Sequence, residues 1–307
     1  MNRRHFLEAG LASAALGVTP SLRGLSASPA PGVGGPAESK ARRLARPLRP
    51  GQAAFRQSVC RWCYSGMSVD ALAAMAREIG LASVELLEPE EYAIVRRHGL
   101  TCAMGYAPVP EPRTRLTRGW NTLEHHEWLV PAYERGIEAA AAAGVPSVIC
   151  FSGNRAGLSD EEGQENCARG LRAIMPAAER HGVTICMELL NSRVDHADYQ
   201  CDRTPWGVAL VDRVGSNRFR LLYDIYHMQI MEGDVIRTIR DAREHIAHFH
   251  TAGVPGRHEI DDSQELHYPA IMRAIAEMGF AGYVGQEFIP TRDPRASLEE
   301  AFRICAV

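Results

Sequence analysis

Apolar positions along the chain fall into a repeating two-part pattern. Leu72, Met75, Ala76 and Ile79 stand at i, i+3, i+4 and i+7, the spacing of one buried helical face, and Gly80 follows where a left-handed C-cap belongs. A short apolar run, Ala82–Leu87, comes next. The same order recurs: His98-Gly99 before Leu100–Met104, alanine-rich 139–143 and Gly144 before Ser147–Phe151, and His181-Gly182 before Val183–Glu188. Val214-Gly215 precedes Phe219–Asp224, a helix over about Asp234–Glu244 precedes Ile246–His250, and Met278-Gly279 precedes Gly282–Glu287. Ser159-Asp160-Glu161-Glu162 reads as a capping box that opens a further helix. With a first strand near Phe55–Trp62, the pattern predicts eight strands, each followed by a helix, hence parallel βαβ units. Eight units over residues 53–307 fit a single (β/α)8 TIM barrel, whose usual size is about 250 residues. An open doubly wound sheet is the alternative, but the first strand runs into Cys60-Arg61-Trp62-Cys63-Tyr64 instead of a glycine-rich phosphate loop.

The first 52 residues lack this pattern. Arg3-Arg4 followed by Phe6-Leu7, an apolar Leu11–Val18 and small residues near Ser26–Ala30 resemble a twin-arginine export signal over residues 1–30. The apolar stretch is shorter than the roughly 20 residues that a membrane span needs. Residues 31–52, rich in Pro, Gly, Ala and Arg, read as a disordered linker. The expectation is an exported, periplasmic protein with no membrane span in its mature form. Eight of the 34 basic and two of the 37 acidic residues lie in this leader, so the body carries 26 against 35, a formal charge of −9. Such a body suits a nucleic-acid backbone poorly. Of the eight cysteines, several sit in apolar runs, and the lone Cys60-x-x-Cys63 has no second pair at zinc-ribbon spacing; mostly free thiols are expected.

Barrel chemistry gathers at the C-terminal strand ends. The fifth to eighth predicted strands end in Glu188, Asp224, His250 and Glu287, separated by 36, 26 and 37 residues, about one βα unit each. Consecutive strand ends converge, so these side chains are candidate ligands of one divalent ion: Mg²⁺, Mn²⁺, Co²⁺ or Zn²⁺. Three carboxylates and an imidazole without thiolate do not make a structural zinc site. Burying three carboxylates together costs several kcal/mol unless a cation neutralises them. Any one of them alone is as readily a surface acid or a helix cap.

Met187–Arg193, Tyr223–His227, Ala252–Glu259 and Gly285–Phe288 resemble the hydroxypyruvate isomerase family of the xylose-isomerase-like barrels, over roughly residues 55–305. The Pro255-Gly256-Arg257-His258-Glu259 stretch is the most specific piece. The resemblance implies that Glu188 and Glu287 are paired catalytic carboxylates that also bind the metal, with Asp224 and His250 as the other ligands. It implies substrate contacts from His227 and Arg257; a backbone-bonded His227 and an Arg257–Glu259 ion pair are the plainer readings. Asn191, Trp62 and His125 are softer pocket candidates. One departure stands out: the family typically carries glutamine in the seventh-strand motif where this chain has His250, which is similar to the ketose 3-epimerases.

The implied activity interconverts a 2-keto and an aldehyde form of a small sugar acid through an enediolate, of the hydroxypyruvate to tartronate semialdehyde type. A 3-epimerase acting on a free ketose and a non-catalytic exported sugar-binding protein are the alternatives; metal-dependent endonucleases of the same fold are disfavoured by the acidic body. The expected partner is a small sugar or sugar acid. Related barrels often pair, so a homo-oligomer is open. The segment Val109–Asn121 is read as a lid over the barrel mouth or a plain long loop.

Overall fold

A computed structural model describes residues 54–111 and 114–307. The expected signal at 1–30 and linker at 31–52 lie outside the described residues. The ordered chain runs β1 (Arg56–Cys60), α1 (Val69–Ile79), β2 (Ser83–Glu85), α2 (Tyr92–Arg97), α3 (His126–Ala143), β3 (Ser147–Cys150), α4 (Asp160–His181) and β4 (Thr184–Glu188). It continues α5 (Thr204–Val214), β5 (Phe219–Asp224), α6 (Ile225–Met231), α7 (Val235–Asp241), β6 (Ile246–Thr251), α8 (Tyr268–Glu277), β7 (Tyr283–Gln286) and α9 (Pro294–Ile304).

All ladders are parallel, in the order β2-β1-β7-β6-β5-β4-β3. The strands are buried on both faces, which is why they read as short continuous apolar runs without alternation. The helices follow from local chemistry. In α1 the Ser68 hydroxyl accepts from Ala71 N, and Gly80 at φ 105° returns its N–H to Ala76 O. The α1 face carrying Leu72, Ala73 and Ala76 is fully buried, and Leu72 alone contributes about 1.5–3 kcal/mol by burial. The expected capping box opens α4: Ser159 Oγ accepts from Glu162 N while Glu162 accepts from Ser159 N.

One expected strand differs. Leu100–Met104 forms no ladder; the ring closes there through single bridges, Ser83 with Thr101, and Gly105 with both Leu87 and Val148. The cause is local, because the Ser83 hydroxyl takes the N–H of Ala103 at 2.7 Å, a donor a ladder would use. The link persists through Val84 N to Thr101 O (3.2 Å), Leu86 N to Met104 O (2.7 Å) and Gly105 N to Ser147 O (3.0 Å). Gly105 fits because a Cβ there would stand 1.9 Å from the Tyr92 hydroxyl. The result is a TIM-barrel-like ring of seven strands and one bridged segment. After β6 the chain loops through 252–267 before α8, so not every strand passes directly into its helix. The eight cysteines are free, and seven of them are buried. No helix among the described residues is long and apolar enough to cross a membrane.

Candidate active site

Four consecutive strands deliver the predicted ligands. Glu188 is the last residue of β4, Asp224 the last of β5, His250 the penultimate of β6, and Glu287 the first beyond β7. Parallel register sets Asp224 beside His250 and His250 beside Gly285, so the side chains leave the same end of the ring. One donor atom from each of the four lies within 4.8 Å of the others. All four are buried. His250 Nδ1 lies 2.6 Å from Glu287 Oε2 and 3.3 Å from Glu188 Oε1. Asp224 also caps α6, accepting from His227 N at 3.2 Å.

The charges are arranged unequally. Burial and the neighbouring Glu287 hold the Glu188 carboxyl above its ordinary range. Burial pushes Asp224 up to about 7 against the pull of Arg257, with Glu287 and Glu188 adding to the rise. Glu287 is buried too, yet His250 and Arg257 hold it below the usual carboxylate range. The charged forms of Glu188 and Asp224 are therefore the least compensated in the cluster. Clustered oxygen donors with one imidazole and poorly compensated carboxylates fit a divalent cation, and the resident cation side chain, Arg257, compensates them only in part.

Above the cluster opens a cavity of about 310 Å³, lined by Glu188, Glu287, His227 and Arg257 together with Trp62, Tyr106, Arg115, Phe151 and His196, among others. Arg257 projects from the loop after β6 with its backbone at φ 60°, a left-handed conformation that costs a non-glycine residue of order 1–3 kcal/mol. Ile289 N to Arg257 O at 2.7 Å and Arg257 N to Gly253 O at 2.9 Å hold it there. Its guanidinium turns inward, Nη2 donating to Glu287 Oε2 at 2.7 Å and to Asp224 Oδ2 at 3.1 Å. It does not pair with Glu259, whose carboxylate accepts instead from Thr291 and Ser297 and ties the loops after β6 and β7 together.

His227 is fully buried, its Nδ1 receiving the Asn191 backbone N–H at 3.1 Å. Burial, Arg257 and His196 push its pKa well down, so the ring is neutral. Asn191 is buried outside the cavity wall: its Oδ1 accepts from Val194 N and Asp195 N, and its amide meets Asp195 and His227. Asn191 thus braces the residue that lines the cavity. Trp62 Nε1 donates to Glu287 Oε1 at 2.6 Å from the cavity rim. His125 bonds Gly119 O at 3.1 Å, packs at a tilt against Trp128 and does not line the cavity.

Two residues near the cluster escape a reading of the sequence. Glu85, at the end of β2, is an acid inside an apolar run, and its Oε1 reaches His250 Nε2 at 2.7 Å. Arg115 lies in the 109–121 segment, pairs with Glu88 at 2.9 Å, stacks on Tyr106 and keeps its Nε buried without a partner. No spacing rule marks it. Arg115 and Leu116 line the cavity, so the segment forms part of its wall, and Asn121 anchors the segment's end by donating to Gln200 and to Asn154 O.

A family profile described as xylose isomerase-like TIM barrel matches residues 73–305. The chain is 30% identical over 238 residues to a 2-oxo-tetronate isomerase of Cupriavidus necator, covering 75% of this chain and 90% of the relative. It is 29% identical to the hydroxypyruvate isomerase of Escherichia coli, covering 73% and 88%. The crystal structure of an AP endonuclease, family 2, from Brucella melitensis superposes with a TM-score of 0.73 at 24% identity, over 80% of this chain and 97% of that one, a likeness of fold.

Proposed function

The chain belongs to the xylose isomerase-like TIM barrel family, and from that premise we propose that it is a divalent-metal-dependent isomerase of small 2-oxo sugar acids. Its relatives are isomerases of hydroxypyruvate and of 2-oxo-tetronate, both short acids with a carbonyl beside the carboxylate. The observation that carries the reading is the pairing of Glu188 and Glu287 at the floor of a cavity of about 310 Å³, in opposite electrostatic settings.

Moving a carbonyl between adjacent carbons needs a proton taken from one carbon and returned to its neighbour. Two carboxylates of different proton affinity at one site suit that exchange, and such acid–base help is typically worth about 10²- to 10⁴-fold. Glu287, held ionised by His250 and Arg257, is the group disposed to accept the carbon-bound proton. Glu188, in the same cluster, is the group disposed to return one to the neighbouring carbon. A divalent ion held by Glu188, Asp224, His250 and Glu287 supplies, when bound, Lewis-acid polarisation of the substrate oxygens. Arg257 and Arg115 give the cavity two guanidinium groups for a substrate carboxylate, and neutral His227 offers a hydrogen bond without added charge. Trp62 and Tyr106 add aromatic surface to the cavity wall. The Arg3-Arg4 leader sets this chemistry, on the same proposal, outside the cytoplasm.

Proton NMR of hydroxypyruvate and of a 2-oxo-tetronate in D2O, with Mg²⁺ or Mn²⁺ and with or without chelator, tests the proposal. Chelator-sensitive loss of the C3 proton signal with appearance of the isomer is expected. A second reading, C3 epimerisation of a free ketose, draws on His250 standing where glutamine is usual among hydroxypyruvate isomerases. Turnover of ketohexoses or ketopentoses with no action on either acid would favour it.

A further inference from the structure

Glu85 ends β2, reaches across the ring interior to β6, and is fully buried. Its Oε1 lies 2.7 Å from His250 Nε2 and 2.8 Å from His248 Nε2. An ionised carboxylate only accepts, so each ring presents an N–H to it. With the Nε2–H held by Glu85, Nδ1 is the nitrogen left to give up its proton to a cation, and Nδ1 is the atom that faces Glu287 and Glu188. β7 makes room for the pair at Gly285, where a Cβ would stand 2.4 Å from Glu85 Oε1 and 2.9 Å from His250 Cδ2. The glycine of the Gly285-Gln286-Glu287 stretch therefore has a steric reason that points to Glu85 and not to the backbone.

We propose that Glu85 is a positioning residue: it fixes the Nε2–H tautomer and the ring plane of His250, so that Nδ1 is offered to a divalent cation among Glu188, Asp224 and Glu287. The inference rests on the metal-dependent reading above and deepens it. His248 supplies the second N–H that holds Glu85 in place, and the Cys60 thiol lies 3.6 Å from the same oxygen. A carboxylate behind a ligating imidazole orients it and raises its basicity, and removing such a group typically weakens metal binding about 10- to 100-fold.

Two measurements decide it. Long-range ¹H–¹⁵N correlation on the Zn²⁺-loaded full chain, labelled in histidine, should show His250 protonated at Nε2 and bound through Nδ1; the reverse assignment overturns the proposal. Mn²⁺ titration calorimetry of Glu85→Gln and Gly285→Ala, each checked for an intact far-UV spectrum, should give dissociation constants about 10- to 100-fold weaker at unchanged stoichiometry. Unchanged affinity in folded variants overturns it while leaving the metal site standing. Two ions in the parent and one in Glu85→Gln would make Glu85 a ligand, and overturn it as well. A parent chain that binds no divalent ion would remove the function reading together with this one. Should either variant fail to fold, the tautomer of the unaltered protein still decides.

Discussion

Arg257 donates from Nη2 to Glu287 Oε2 at 2.7 Å, which couples a strained loop residue to a carboxylate at the strand ends. Hydrogen bonds to charged groups are worth about 1.5–3 kcal/mol. Arg257→Lys keeps the charge but loses the fork, which also reaches Asp224. It is expected to lower kcat/KM for a 2-oxo sugar acid about ten- to a hundredfold. Steady-state kinetics of the variant check this, and parental kcat/KM would show that the fork is not used.

Glu188→Gln and Glu287→Gln are each expected to fold and to lose most of the activity, by about 10²- to 10⁴-fold. Solvent deuterium should no longer enter the substrate in either variant. Full exchange in one of them would remove that residue from the proton-transfer pair.

A divalent cation should stabilise the fold, since it compensates the carboxylates whose charged form burial penalises at Glu188 and Asp224. Binding only to the folded state adds about 2.7 kcal/mol at a hundredfold excess over Kd. Calorimetric melting with Mn²⁺, with and without chelator, measures the shift. Asp224→Asn should melt at nearly the same temperature under both conditions; a shift as large as the parent's would place the cation elsewhere.

Glu259 gives a pH signature away from the cluster. Its backbone and hydroxyl partners, Thr291 and Ser297 among them, outweigh burial and hold its carboxyl at about 2, below the ordinary 4.5. A depressed folded pKa adds stability that is present above about 4.5 and lost as pH falls toward 2. Glu259→Gln should therefore melt below the parent at pH 7, with the gap narrowing between pH 4.5 and 2. A gap constant over that range would mean that Glu259 acts by shape alone.

Much of the ring is legible along the chain because several helices end in a left-handed glycine cap, as at Gly80 before β2 and Gly182 before β4. The ligand quartet is legible for a related reason: Glu188, Asp224, His250 and Glu287 each follow an apolar run at one-unit spacing. Glu85 has the same local setting, but Glu88, Glu90 and Glu91 follow within six residues, and nothing in the order of residues says which acid points inward. Asn191 shows the opposite difficulty: it stands in a motif beside Glu188, yet its hydrogen bonds are spent on a loop and on His227. Arg115 reaches the cavity wall only through the fold of a long loop. The missing ladder at the third expected strand, Leu100–Met104, goes with one hydroxyl, that of Ser83, which no periodicity reveals.

The seam left by that missing ladder lies between β2 and β3, the two ends of the strand order. β4, β5, β6 and β7, which deliver Glu188, Asp224, His250 and Glu287 at or just past their ends, lie side by side in one uninterrupted run of ladders. Across the ring, Thr101 and Gly105 close the circle by single bridges and lead straight into the stretch that bears Arg115 and Leu116. The loop beyond Gly105 lies outside the ladders, so rewriting it leaves the strand pairing on the opposite side intact. Changes in cavity shape can therefore enter from the Arg115 side without moving the strand ends that hold Glu188, Asp224, His250 and Glu287.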